Sequence, residues 1–220
     1  MEAGSKGNDQ IIIEEYLYGS TIAELMEEGH FFCEKETIDI AMQICKILME
    51  LHGMNPPIVH RDIKLANVMI MPEGVVKLLD FSVAKAENIT KKRDTVLLGT
   101  AGFAAPEQYG FSASTPQTDI YAMGVLMNLM LTRKMPSEGI AGGKLRKIIS
   151  CCLEVNPKDR YRDVRELYHA LKYMNEVKKE WFPLMRSQYN LLRLVGFVIG
   201  PVIIFVVIAV FFAFLESLLI

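Results

Sequence analysis

His60-Arg61-Asp62-Ile63-Lys64-Leu65-Ala66-Asn67 gathers a carboxylate, a cation and an amide into one short polar stretch. Each type has a task at this spacing. The Asp62 carboxylate can accept a hydroxyl proton. The Asn67 amide oxygen can hold a hard metal ion. Lys64 stands between them and can neutralise an anionic group in transit. A run of this polarity belongs in a loop, so the segments on either side must hold it. Before it, Thr37 to His52 carries Ile38, Ala41, Met42, Cys45, Leu48 and Leu51 at helical spacing, which predicts an amphipathic helix with one buried stripe. Pro56-Pro57 stops that helix. After the loop, Val68–Met71 and Val75–Leu79 flank Pro72-Glu73-Gly74, a short hairpin ending at Asp80.

The remaining chain reads in the same terms. Ile11-Ile12-Ile13 follows Gly7-Asn8-Asp9 and reads as a strand entered from a hairpin. Thr21 and Glu24 form a capping box for a short helix that Gly29 closes. Residues 81–105 lack any period and hold Thr90, Thr95 and Thr100. From Asp119 the helical pattern returns: Val125, Leu126, Leu129 and Met130 make one face, and Leu145, Ile148, Ile149 and Cys152 another. Asp163-Val164-Arg165-Glu166 opens a last helix towards Met174.

Charge sets limits on partners. The 24 basic and 26 acidic residues nearly cancel, so no nucleic acid is expected, and Lys91-Lys92-Arg93 reads as a solvated loop. Cys33, Cys45, Cys151 and Cys152 have neither disulfide nor metal spacing, and the last two read as small buried hydrophobes, which suits a reduced, cytoplasmic setting. Residues 1–10 are too polar for a signal peptide. Leu194 to Leu215 carries no charge, and about 20 apolar residues suffice to cross a bilayer. A single transmembrane helix is expected there. Lys172, Lys178, Lys179, Arg186 and Arg193 precede it and no Lys or Arg follows, which would keep residues 1–190 in the cytoplasm. One span without an ionisable residue gives no transport pathway.

Two more signatures follow the polar loop. Asp80-Phe81-Ser82 ends the hairpin, where a carboxylate can hold Mg²⁺ against phosphates. Ala105-Pro106-Glu107 comes after Gly99-Thr100-Ala101-Gly102-Phe103. In this order and spacing the chain resembles a eukaryotic-type serine/threonine protein kinase of the membrane-anchored bacterial sort, over residues 8–174. The resemblance implies ATP and Mg²⁺ as cofactors and a protein as substrate. It makes Asp62 the base, Lys64 the phosphate neutraliser, and Asn67 and Asp80 the metal ligands. Thr100 would steady Asp62 and Lys64. Arg61 would pair with a phosphorylated threonine of the activation segment, Thr90 or Thr95. Glu15 and Leu17 would lie in the hinge that binds adenine, with Glu14 as gatekeeper. Asp119 and Gly124 match the family's Asp-x-Trp-Ser-x-Gly helix start, where Tyr121 and Ala122 depart from the pattern, and Arg160 matches the partner of Glu107. Leu65 and Ser82 depart from the usual Pro and Gly, and a residue with a Cβ at the second position restricts the backbone where the segment pivots.

These 220 residues contain no Gly-x-Gly-x-x-Gly loop and no Val-Ala-Ile-Lys lysine, the parts that cover and clamp the triphosphate in kinases. The expected fold class is therefore mainly α: a kinase-like C-lobe, helical with a small β-hairpin, most of the N-lobe absent, plus one transmembrane helix. The expected division is 1–10 as a disordered or turn start, 11–19 as a residual hinge strand whose apolar edge is unpaired, 20–174 as the C-lobe, 175–193 as a juxtamembrane segment and 194–215 as the span. The expected function is phosphoryl transfer from ATP to protein Ser/Thr at a membrane, by a truncated polypeptide weakly active or inactive alone. The alternative is a membrane-anchored pseudokinase that binds partners without catalysis. A kinase lobe supplied by another chain, or a homodimer, is the further partner these gaps suggest.

Overall fold

Thr21 opens helix α1 (Ile22–Glu27) with the expected reciprocal cap: its Oγ1 accepts the Glu24 amide at 3.2 Å, and Glu24 Oε2 accepts the Thr21 amide at 2.8 Å. The computed structural model describes residues 2–6, 9–13, 15–86, 102–109 and 113–176. Residues Met1–Tyr173 form one compact unit, and of the second, Met174–Ile220, only 174–176 are described.

Helix α2 (Glu34–His52) begins before the expected Thr37 because Cys33 caps it. Its Sγ accepts the Glu36 amide at 3.5 Å while Glu36 Oε2 accepts the Cys33 amide at 2.8 Å. Ile38, Ala41, Ile44, Cys45 and Leu48 form the buried stripe. Helix α3 (Pro116–Thr132) was expected to bury one face. Instead Ile120, Met123, Val125, Leu126 and Met127 are all fully enclosed, so it is the axis of the core, packed against α2 and α4 (Arg146–Cys152). A Cβ on Gly124 would stand 2.7 Å from Cys152 Cβ, so the bare glycine is what lets α4 approach. Helix α5 (164–176) adds Val164, Leu167 and Leu171 to the core. All four cysteines are free; Cys152 is buried as expected and Cys151 only half so.

The strands are short. Strand β1 (Glu2–Lys6) pairs antiparallel with β2 (Asp9–Ile13), Glu2 opposite Ile13 and Gly4 opposite Ile11. Among the described residues a hairpin thus stands where a disordered or turn start over 1–10 was expected, and one edge of the Ile11–Ile13 strand is paired. An apolar strand leaves a row of backbone groups that a neighbouring strand satisfies, here one of no apolar pattern. Regular structure stops at Ile13, and 15–18 are irregular rather than part of a strand over 11–19. Strand β3 (Ser20–Thr21) pairs with β5 (Val68–Ile70), which pairs with β6 (Val76–Leu78) as the expected hairpin. Strand β4 (Ile58–Val59), just before the polar loop, pairs antiparallel with β7 (Lys85–Ala86).

Among the described residues no helix is long and apolar enough to cross a membrane. The fold class is corrected accordingly, to a kinase-like arrangement of helices α1 to α5 and strands β1 to β7 in small antiparallel sheets. Helix α3 is apolar along most of its length, but it carries Asp119 and Asn128 and is covered by protein on every side. The expected span at 194–215 lies outside the described residues.

Candidate active site

The polar loop leaves β4 at Val59 and re-enters structure through a 3₁₀ turn at Leu65–Asn67 that feeds β5. Asp119, in the first turn of α3, holds it from beneath. Its Oδ2 accepts the His60 amide at 2.9 Å and its Oδ1 the Arg61 amide at 2.8 Å. His52, at the last turn of α2, adds a contact from Nε2 to Asp119 Oδ2 at 2.8 Å. A fully buried carboxylate with these partners fixes a loop that has no regular structure of its own.

Arg61 has φ 72° and Asp80 φ 59°, two of the three positive values at non-glycine residues among the described positions. Such conformations concentrate at sites that the surroundings over-determine. Ser82 is not among them, so the position usually held by glycine makes no demand for a left-handed backbone here.

Asp62 is nearly buried, and its Oδ2 lies 2.7 Å from Lys64 Nζ and 2.9 Å from Asn67 Nδ2. The same Nδ2 donates to the Asp62 carbonyl at 2.9 Å. The Asn67 amide is thereby oriented, nitrogen towards Asp62 and oxygen away from it. The Leu79 amide donates to the Asn67 carbonyl at 2.8 Å and ties the end of the hairpin to the loop. Asp80 follows, exposed, with Oδ1 accepting the Ser82 amide at 3.1 Å. Hydrogen bonds from Ser82 chiefly, with help from the Lys64 and His60 charges, hold the Asp80 carboxyl below its usual range. Phe81 sets its ring edge-on to His60, centroids 4.8 Å apart. Burial lowers the His60 pKa, against the opposing pull of Asp119, the Leu79 carbonyl, Asp62 and Asp80. Both carboxylates therefore act on one imidazole, and Lys64 bonds one while it is felt by the other.

Glu107 and Arg160 meet as the sequence implies, through two parallel bonds of 2.8 and 2.9 Å. Glu15 is exposed and Leu17 half-buried, on an irregular stretch. Gly19 anchors that stretch: a Cβ there would stand 2.6 Å from the Ile70 carbonyl oxygen. Glu14, Thr90, Thr95 and Thr100 lie outside the described residues. Sequence reasoning missed His52 and Gln108, both in contact with partners far along the chain. Only family likeness drew attention to Asp119.

The donor set fits a magnesium–phosphate complex. Asn67 and Asp80 offer hard oxygen atoms, and no group of three or more His, Cys, Asp or Glu gathers among the described residues. Mg²⁺ suits such a sparse set, since it takes one or two protein ligands and completes its shell with phosphates and water.

Residues 1–163 match the protein kinase domain family. A probable serine/threonine-protein kinase of Clostridium acetobutylicum is 30% identical over 194 residues, which is 77% of this chain and 29% of that protein. A probable serine/threonine-protein kinase PknB of Lactococcus lactis is 29% identical over 190 residues, 76% of this chain and 30% of that protein. A Corynebacterium efficiens protein named among the serine/threonine-protein kinases is 29% identical over 181 residues, 73% of this chain and 34% of its own. The chain thus spans about a third of the length of these curated relatives.

Proposed function

The chain belongs to the protein kinase family, and on that footing we propose that it carries the acceptor side of a serine/threonine phosphoryl-transfer site. Asp62 accepts the proton of the incoming hydroxyl, and Lys64 neutralises charge on the moving phosphoryl group. Asn67 and Asp80 hold Mg²⁺, which when bound supplies charge neutralisation at the phosphate oxygens. Arg61 and Thr100 keep the supporting roles the family gives them, and Glu15 and Leu17 flank the nucleotide base. The observation that carries this reading is Asp62 Oδ2, held between the Lys64 ammonium and the Asn67 amide.

Transfer by this polypeptide alone is weak. Nothing in its 220 residues supplies the glycine-rich cover or the lysine clamp on the triphosphate. Loss of a single stabilising donor costs roughly 10²–10³ in rate, and losing several costs more. A second reading is a binding module that presents this surface to a protein partner without catalysis.

One experiment separates them. Purified chain is incubated with γ-labelled ATP, Mg²⁺ and a generic protein acceptor, with Asp62→Asn in parallel. Label transfer lost in the variant supports the kinase reading; equal signal from both proteins sinks it. A thermal-shift titration with Mg-ATP complements this, since a ligand of the native state stabilises it by mass action. No shift at millimolar nucleotide favours the binding module.

A further inference from the structure

The residue that follows Ala-Pro-Glu is glutamine, and its side chain reaches across the molecule. Gln108 lies in the 3₁₀ turn Pro106–Tyr109 and is 2% exposed. Its Oε1 accepts the Ala105 amide at 2.9 Å, and its Nε2 donates to the Arg61 carbonyl at 2.9 Å. The two contacts fix the amide's orientation without ambiguity. A backbone N–H can only donate and a carbonyl can only accept, so flipping the amide would turn both contacts repulsive.

What it grips is the peptide plane between Arg61 and Asp62. Arg61 sits at φ 72°, a conformation a side-chain-bearing residue keeps only when its neighbours impose it. Among the described residues, three groups hold it there. Asp119 takes the Arg61 amide, Gln108 takes the Arg61 carbonyl, and His60 Nδ1 accepts the Asp62 amide at 3.4 Å. Asp119 and His60 belong to the central helix and to the loop itself. Gln108 alone comes from the Ala-Pro-Glu turn.

We infer that Gln108 is a positioning residue, which couples the end of the segment that follows Asp80 to the attitude of Asp62. The assignment of Asp62 as base rests on the kinase reading above; the coupling does not. A rearrangement of the Ala105–Gln108 turn transmits to the Arg61 carbonyl, and through the rigid peptide unit to the Cα that carries the Asp62 carboxylate.

Hydrogen–deuterium exchange on the full 220-residue chain tests this without nucleotide, so an absence of phosphoryl transfer does not bear on the outcome. Gln108→Met keeps length and bulk and removes both hydrogen bonds. Gln108→Glu, assayed at a pH high enough to ionise the buried carboxyl, keeps the acceptor for Ala105 and loses the donor to Arg61. Peptides covering 59–64 exchange about tenfold faster in both variants, the loss expected for one net hydrogen bond. The 103–109 peptide accelerates in the Met variant only, and α3 stays as in wild type. Where transfer by the wild type is measurable, both variants lower kcat and leave KM for ATP in place. Wild-type protection at 59–64 in the Met variant, or a uniform rise that includes α3, overturns the inference. Should the Met variant not fold, unchanged protection at 59–64 in the Glu variant overturns it alone.

Discussion

Two ion pairs of nearly equal length sit in this molecule in different surroundings. Arg160 and Glu107 meet at 2.8 Å with side chains 0% and 2% exposed, whereas Lys64 and Asp62 meet at 2.7 Å with side chains 24% and 10% exposed. The first pair is saturated. Arg160 also donates to the carbonyls of Glu154, Gln117 and Val155 and packs over the Tyr121 ring, while Thr118 Oγ1 donates to Glu107 Oε1 at 2.9 Å. No group in that knot can change partner without leaving another stranded. The second pair lies nearer the solvent, and the Asp62 carboxylate in it also accepts from the Asn67 amide. Bond length therefore says little about role. Burial is what sets the two apart: the Arg160–Glu107 pair is sealed from water, and the Lys64–Asp62 pair is not.

The comparison breaks first at Arg160. Arg160→Ala leaves the Glu107 carboxylate and several carbonyls buried without a donor, and should cost about 3–5 kcal/mol of stability. Urea unfolding followed by circular dichroism measures it; a loss below about 1 kcal/mol would mean the knot relaxes or admits water. Asp62→Asn should do the reverse. It costs less stability than Arg160→Ala, because an amide keeps the shape of the carboxylate and an oxygen that still accepts from Lys64 or Asn67. It lowers transfer by roughly 10²–10⁴ wherever wild-type transfer is measurable, the usual loss of a general base. A variant that unfolds as easily as Arg160→Ala would make Asp62 a structural residue.

The grouping of Asp62, Lys64 and Asn67 was legible in the sequence and its structural setting mostly was not. His60 to Asn67 could be read because its functional groups are local, at spacings that a few residues of loop impose. Glu107 and Arg160 could be paired only by likeness to a family, since nothing local says that residues so far apart meet. His52 and Gln108 were invisible for the same reason, each being an ordinary helix or turn residue until its distant partner is known. Cys33 was overlooked as a helix cap because sulfur is a weak acceptor that rarely serves there. The burial of α3 on every side escaped periodicity, which registers a stripe and fails when all faces are apolar. Strand β1 was missed because Glu2-Ala3-Gly4-Ser5-Lys6 has no strand pattern, and pairing with β2 supplies what the side chains do not.

A smaller effect probes the scaffold beneath the polar loop. Gly124→Ala puts a methyl 2.7 Å from Cys152 Cβ and 3.1 Å from Leu153 Cγ. The first of these is rooted on the α4 backbone, so the helices must separate. Overpacking of this kind costs about 1–3 kcal/mol, against about 1 kcal/mol gained from replacing glycine within a helix. A net loss near 1 kcal/mol is expected by urea unfolding, and a gain would show that α4 shifts without strain. Transfer, where measurable, should fall no more than the folded fraction does, because Asp119 and the loop above it keep their bonds.

The smallest effect is a pH dependence that distinguishes the site from the helix caps. Burial lowers the His60 pKa in the folded chain below the ordinary histidine value of about 6.5, so the unfolded chain binds its proton first as pH falls. Between those two values stability rises with pH, and the contribution is complete above the unfolded pKa. The Asp163 carboxyl, which accepts the Glu166 amide at 2.9 Å, is held below its usual range chiefly by that bond. Its stabilisation is present above the ordinary carboxylate value of about 4 and is lost as pH falls through the lower folded value. The two therefore act in separate windows, the site losing stability first on acidification from neutrality and the cap of α5 only in strong acid. Urea midpoints for wild type and His60→Phe across both windows resolve them. The variant should flatten the slope below neutrality and keep the acid limb, and a slope identical to wild type near pH 6 would place the titration elsewhere.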